Sequence, residues 1–342
     1  MAIFENNLTR KLGIDTPIIC GAMYPSSNPE LVAAASEAGG IGIVQPLTLE
    51  FVHKLPFRDG LRHIRTLTDR PIGMNVLTEK SSKMYLERMQ KWVDIALEEG
   101  VRFFVSSLGN PQWIVDKVNP YGGFVYHDVT ERKWAKKAID GGVHGLIAVN
   151  ERAGGHAGPN SMARLMDELG DLGLPIIAAG GIGCEENFVE ALRLGYEGVQ
   201  MGTRFIATEE SAAHQEYKNA ILDAEEGDIV LTEKITGVPV AVIRTEAVER
   251  YGTKAGPVAR FMLRRRKLKH YMRMYYSAMS FWRLRRSAHA PMSSKDYWQA
   301  GKSVSCIRQI VSTDEIIENF TRAAIREFGT GTLPETTASA TL

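Results

Sequence analysis

One histidine stands among residues that carry almost no side chains. In "AVNERAGGHAGPNS", residues 148–161, His156 is flanked by Gly154, Gly155, Ala157 and Gly158. An imidazole has an ordinary pKa near ~6.5, so it takes or gives a proton close to neutrality. A loop this rich in glycine packs no core, but it lets the ring stand against a flat molecule without crowding it. The bland alternative is a turn histidine bonded to a nearby carbonyl. No Lys follows the glycines to mark a nucleotide phosphate loop.

Two further stretches suit an anion. "AAGGIG" (178–183) and "QMGTRF" (200–205) both end apolar runs and lead into helix-like segments. Glycines there let backbone N–H groups approach a phosphate, and the helix start adds its positive dipole end. Gly180, Gly181 and Gly183 stand on one loop, Gly202 and Thr203 on the other, with the Thr203 hydroxyl as an added donor. Tight turns alone would use the same glycines. Cys184 follows at the helix start, a place that lowers a thiol pKa, but no base pairs with it and it reads as structural.

Polar residues also interrupt other apolar runs. Asn75 sits inside "GMNV", Ser106 and Ser107 end "VRFFVSSL", and His127 and Asp128 end "GFVYHDV". A buried Asn needs partners for its donors and acceptor. Each residue alone could cap a loop. Together they form a polar ring at one mouth, as a large heterocyclic cofactor requires.

The elements that must hold these residues form a regular series. Short apolar runs at 17–23, 41–46, 71–77, 101–108, 123–129, 144–150, 175–181 and 198–205 alternate with amphipathic segments that end in Gly. The spacing, roughly 20–30 residues, leaves room for helical crossovers, so the strands are parallel and buried on both faces. Eight such units predict an α/β fold, a (β/α)8 TIM barrel with its site at the C-terminal ends of the strands. An open doubly wound sheet competes, but "GAMYPSSN" after the first strand holds no G-x-G-x-x-G. Asn28 is the expected N-cap of the first barrel helix, with Pro29 at its first position.

After residue 209 the rhythm breaks and charged helix-like segments dominate. The expected organisation is a barrel over 1–209 and 310–330, a helical lid insertion over 210–309 and a disordered tail over 331–342. "IVSTDEIIENFTRAAIREF" (310–328) reads as the last barrel helix, capped by Ser312 or Thr313. An insertion at this point overlies the active-site face.

Composition narrows the classes. Of 342 residues 44% are hydrophobic, enough for a large core, and 41 basic against 40 acidic residues leave a net charge of +1. Nucleic acid is not an expected partner. Three distant cysteines in no metal spacing argue against disulfides and zinc, and no metal is expected. The polar start "MAIFENNLTRKLG" lacks a signal-peptide apolar region, and no apolar run reaches the ~20 residues of a membrane span. A cytoplasmic protein, with a homodimer admitted, is the expectation.

Six stretches in order, "PIICGAM", "ASEAGGIG", "LTDRPIGMN", "AGGHAG", "PIIAAGGIG" and "GVQMGTRF", resemble the nitronate monooxygenase (2-nitropropane dioxygenase-like) flavoproteins. FMN-dependent enoyl-acyl-carrier-protein reductases and NADH:quinone reductases are related to that family. The resemblance covers residues ~5–210 and, more weakly, ~295–328. It implies a barrel that holds FMN without a covalent bond. Gly21, Ala22 and Met23 would line the flavin through their backbone, and Asn75 would bond its ring or ribityl chain. Gly180, Gly181, Gly202 and Thr203 would hold the phosphate. His156 would face the flavin as base or substrate-orienting group. From the residues themselves, Gly154, Gly155, Ser106 and His127 are further candidates for cofactor contact.

The chain also departs from that pattern. Tyr24 and Pro25 replace a glycine-rich turn, His127-Asp128 stands where some relatives have Lys, and Lys302 stands where Gln is usual. An acid near flavin N1 would disfavour the anionic reduced flavin, so Asp128 is expected to point away. Tyr24, Tyr297 and Trp298 are candidates for the substrate wall.

The first functional reading is therefore oxidation of an alkyl nitronate by O2. The second is reduction of an enoyl thioester or quinone, with NADH or NADPH as reductant. A non-catalytic flavoprotein or acyl-carrier-binding module is a third. The segment 260–286, "RFMLRRRKLKHYMRMYYSAMSFWRLRR", interleaves basic residues with aromatics. It reads as an amphipathic lid, or as a dock for a CoA or acyl-carrier thioester, which would favour the second reading.

Overall fold

The structure is a computed structural model. It describes residues 4–78, 83–235, 237–256 and 297–333, with Ala259, Phe261, Met262, Arg265, Leu268, Met272, Tyr275 and Tyr276.

Eight parallel strands close into a barrel in chain order: β1 Ile18–Cys20, β2 Ile41–Val44, β3 Ile72–Leu77, β4 Phe103–Ser107, β5 Phe124–Val129, β6 Gly145–Val149, β7 Ile176–Ala179 and β8 Gly198–Met201. Closure runs through Ile19, which pairs with Ile41 on one side and Gln200 on the other. Every barrel strand lies within a run expected from the sequence. Side chains alternate between the barrel interior and the helix layer. Ile19, Ile41, Ile43, Phe103, Val105, Tyr126, Ile147, Ile177 and Ala179 fill the interior together with Leu8, Leu12 and Ile14, which plug its N-terminal end. The alternate residues, such as Met74, Phe104, Val125 and Met201, pack against the surrounding helices.

The last barrel helix, Thr313–Phe328, packs between helices Pro29–Glu37 and Glu185–Arg193 and closes the outer ring. Ser312 caps it as expected, accepting from the Glu315 N–H at 3.1 Å. Asn28 has the extended backbone of an N-cap, but its side chain reaches instead to the insertion. It donates to the Glu210 carbonyl at 2.8 Å and accepts from the Ala212 N–H at 2.9 Å.

The insertion is not wholly helical. After helix Gln215–Asp223 come two antiparallel strands, β9 Ile229–Thr232 and β10 Val240–Ile243. The alternating β-branched residues of "IVLT" and "VAVI" around a Gly-Val-Pro turn favour this hairpin, and the neighbouring charge had hidden it. Ile206, Ile221, Ile243, Trp298, Val304 and Ile307 build a second core between insertion and barrel, where Tyr217 stacks on Trp298 at 5.5 Å. Residues 331 and 332, read as tail, pair with Phe4–Glu5, and Leu333 is buried. Residues 334–342 and, apart from Arg265, the basic residues of 260–286 lie outside the described residues. Among the described residues no helix is long and apolar enough to cross a membrane, and no side-chain cluster could hold a metal ion.

Candidate active site

The period of two decides which polar residues reach the barrel mouth. On β4 the interior residue Val105 is followed by outward Ser106 and inward Ser107. On β5 the interior Tyr126 is followed by outward His127 and inward Asp128. Ser106 and His127 therefore face the helix layer, not the mouth. There they satisfy each other, with Ser106 Oγ 2.8 Å from His127 Nδ1. Burial pushes the His127 imidazole down to about 4, so it is neutral at pH 7. Side-chain alternation thus turns both away from the mouth, where the sequence had set them in a polar ring.

Asp128 is the corresponding correction. It shares its face with Phe124 and Tyr126, so it points inward. Its Oδ1 is buried with no hydrogen-bond partner, and burial pushes the carboxyl up to about 7. At neutral pH it is a carboxylic acid as much as a carboxylate, and the neutral form donates a hydrogen bond.

Gln200 was not singled out in the sequence. It pairs with the interior residues Ile19 and Ala179, which turns it inward on β8. Its Oε1 is buried and unpartnered, and its side chain lies against the end of β1, 3.0 Å from where a Cβ on Gly21 would stand. A polar residue at an interior position of a barrel strand was the signal available. Asn75 shares the inward face of β3 and makes one long bond, from Nδ2 to the Val105 carbonyl at 3.3 Å.

The histidine loop is built by Asn150, a buried residue directly after β6. Its Nδ2 donates to the Gly180 carbonyl at 2.8 Å, and its Oδ1 accepts from the Arg152 N–H at 2.8 Å. Its own carbonyl accepts from the Gly158 N–H at 3.1 Å, so one Asn pins both sides of the turn. The loop lies so close to β7 that a Cβ on Gly180 would fall 2.5 Å from Asn150 Oδ1. One on Gly181 would fall 2.7 Å from Arg152 Nε, and both residues have positive φ, 111° and 75°. Close packing and left-handed backbone thus account for these two glycines before any anion is invoked.

The insertion holds the same loop from above. The Ala241 N–H of β10 donates to the Gly155 carbonyl at 2.8 Å, and the Lys302 N–H donates to the Arg152 carbonyl at 2.9 Å. Gly154 touches the Ala300-Gly301 backbone. Arg152 and Lys302 share Glu226, at 2.9 and 3.4 Å. His156 itself is exposed on this rim. Tyr297 and Trp298, read as substrate wall, bury their rings in the insertion's own clusters. Tyr24 is half-buried in the loop after β1.

At β8, Gly202 is the N-cap of helix Thr203–Ile206 and offers no side chain to its first amides. Thr203 Oγ1 accepts from the Gly301 N–H at 3.0 Å, which leaves its own proton to donate. Met23 packs against Gly202, and Gly21 donates to the Met201 carbonyl at 2.9 Å. The loops after β1, β6, β7 and β8 therefore form one continuous rim. Asn75 on β3 stands across the mouth from β7. Cys184 departs from expectation: burial and the neighbouring Cys306 push its thiol up to about 12.

A family model described as nitronate monooxygenase matches residues 5–323. An octahydro-indene-carboxyl-CoA dehydrogenase of Rhodococcus jostii is 30% identical over 263 residues, covering 76% of this chain and 72% of that protein. A dehydrogenase of the same name from Mycobacterium tuberculosis is 28% identical over 80% of this chain and 76% of its own. A probable nitronate monooxygenase of Staphylococcus saprophyticus is 29% identical, covering 72% and 80%. Among solved structures, FabK from Thermotoga maritima superposes with a TM-score of 0.78 at 28% identity, over 94% of this chain and 97% of that one.

Proposed function

Because the chain belongs to the nitronate monooxygenase family and is an oxidoreductase, we propose that it binds FMN in the barrel mouth and carries out redox chemistry on an acyl-CoA thioester. The residues present fit that cofactor. Gln200 Oε1 and Asp128 Oδ1 are buried polar atoms that lack partners, which the N–H and carbonyl groups of a flavin ring would supply. Asn75 has donors to spare. The open amides at Gly202 and the Thr203 hydroxyl suit a terminal phosphate. When bound, FMN supplies hydride transfer between a nicotinamide and a carbon substrate.

The chain's own groups do the rest. His156 holds or moves a proton at the substrate carbonyl, positioned by Asn150 and by Gly155 bonded to Ala241. Asp128, about half protonated near pH 7, donates a hydrogen bond in its neutral form. The insertion forms the upper wall of the mouth through its bonds to the histidine loop. Asn75 and Gln200 orient the cofactor by directional hydrogen bonds.

The sequence placed nitronate oxidation first. The two CoA-ester dehydrogenases among the relatives move the thioester ahead, and that similarity is the observation that carries the choice. Nitronate oxidation with O2 remains the competing reading, favoured by the Staphylococcus relative. Anaerobic mixing separates them. The thioester reading expects bleaching of the flavin by NADH or NADPH and reoxidation by an enoyl-CoA. Bleaching by a nitronate alone, with none by either nicotinamide, overturns it.

A further inference from the structure

Two thiols meet beside the rim, and the proposed chemistry uses neither. Cys184 directly follows Gly183 of the β7 loop and precedes helix Glu185–Arg193. Cys306 ends the helical turn Lys302–Cys306, which the insertion lays across that loop. Their sulfurs lie 3.2 and 3.6 Å from one shared acceptor, Asn187 Oδ1. Cys306 is close enough to help push the Cys184 thiol up. The chains approach closely, since a Cβ on Gly183 would stand 3.3 Å from Cys306 Cβ. Both residues are partly exposed, whereas Cys20, the third cysteine, is buried.

We propose that Cys184 and Cys306 are a peroxide-responsive pair that closes to a disulfide and staples the insertion to the β7 loop. Hydrogen peroxide is the oxidant. Its O–O bond breaks on attack by the Cys306 sulfur, which becomes a sulfenic acid, and one water leaves. The Cys184 sulfur then displaces the sulfenic hydroxyl, the S–S bond forms, and a second water leaves with the Cys184 proton. Two thiols and one peroxide give one disulfide and two waters. The first step falls on Cys306 because burial and its neighbour keep the Cys184 thiol protonated.

The consequence is local and mechanical. The turn that carries Cys306 begins beside Gly301, whose N–H binds the Thr203 hydroxyl, and Lys302, whose N–H binds the Arg152 carbonyl. A covalent bond there holds the helical turn Lys302–Cys306 against both the phosphate-side and the histidine-side loops. The bond also closes a long loop of chain, which stabilises the folded state by restricting the unfolded one.

The test uses the purified holoprotein. It is treated with hydrogen peroxide, free thiols are blocked, and peptides are mapped by mass spectrometry without reduction. The expected result is a peptide pair joined through residues 184 and 306, with Cys20 recovered as the free thiol. The urea midpoint should rise on oxidation and fall back with a reducing agent. Neither change should occur in Cys184→Ser or Cys306→Ser. Recovery of all three thiols free overturns the proposal. So does oxidation of either thiol to a sulfinic acid, or a disulfide only between molecules. The wild-type map decides alone if a serine variant fails to fold.

Discussion

Asp128 gives the account a quantitative handle. Its carboxyl is held at about 7 by burial, against an ordinary value of 3.8. Between those two pH values the folded chain keeps a proton that the unfolded chain has released. Stability therefore falls as pH rises through this window, and the loss is complete above the folded value. At about 1.36 kcal/mol per pKa unit, the difference corresponds to on the order of 4 kcal/mol. Asp128→Asn removes the ionisation and keeps the shape. Urea unfolding followed by circular dichroism, from pH 4 to 8.5, should show variant and wild type nearly matched at pH 4. The variant should become more stable by a growing margin, levelling off above about pH 7.5 near that figure. His127 acts oppositely, because its imidazole sits at about 4 rather than 6.5 and so favours folding as pH rises between them. It stands on the other face of β5 and cancels when the two proteins are compared. A variant-minus-wild-type difference that stays constant with pH would refute the buried, inward acid.

Four other outcomes follow from the same geometry. His156→Ala should keep the yellow cofactor and lower kcat by about 10²–10⁴-fold, the usual contribution of a positioned acid or base, as steady-state and flavin-binding measurements would show. Gly202→Ala separates a phosphate cradle from a mere turn: its φ is −118° and its added Cβ meets only Met23 Sδ at 3.4 Å, so the fold should tolerate it. FMN affinity measured by fluorescence should nonetheless fall by about tenfold, because the methyl holds the phosphate off the backbone and weakens a charge-assisted hydrogen bond. Gly180→Ala should lower the melting temperature instead, through a cost of about 1–3 kcal/mol or more from strained backbone and the clash with Asn150. His127→Gln should flatten the acid limb of the stability profile between pH 4 and 6.5 and leave catalysis unchanged, since the ring faces the helix layer.

The barrel was legible because crossover spacing and apolar runs fix strand number, and eight parallel units have few ways to close. Glycine loops and the histidine loop were legible for a similar reason: their composition is unlike that of any packed segment. The faces of β4 and β5 were not legible. "VSSL" and "YHDV" place two polar residues side by side, and only the register of neighbouring strands says which one turns inward. The inward positions are Ser107 and Asp128, one position beyond Ser106 and His127. Gln200 escaped because "GVQM" reads as one apolar strand with a single blemish. Asn150 escaped because its work is done by hydrogen bonds to backbone groups of a distant loop, which no spacing announces. The hairpin of the insertion was masked by charged neighbours, although its turn residues were in view.

The central claim is that the barrel mouth holds FMN and passes electrons from a nicotinamide to an acyl-CoA. Anaerobic stopped-flow absorbance of the purified protein in the visible flavin band tests it most directly. NADH, NADPH and a small nitronate are offered in turn, and an enoyl-CoA is added afterwards. The account predicts rapid bleaching by one nicotinamide and return of the colour with the thioester. Bleaching by the nitronate alone, or protein that binds no FMN, would contradict it.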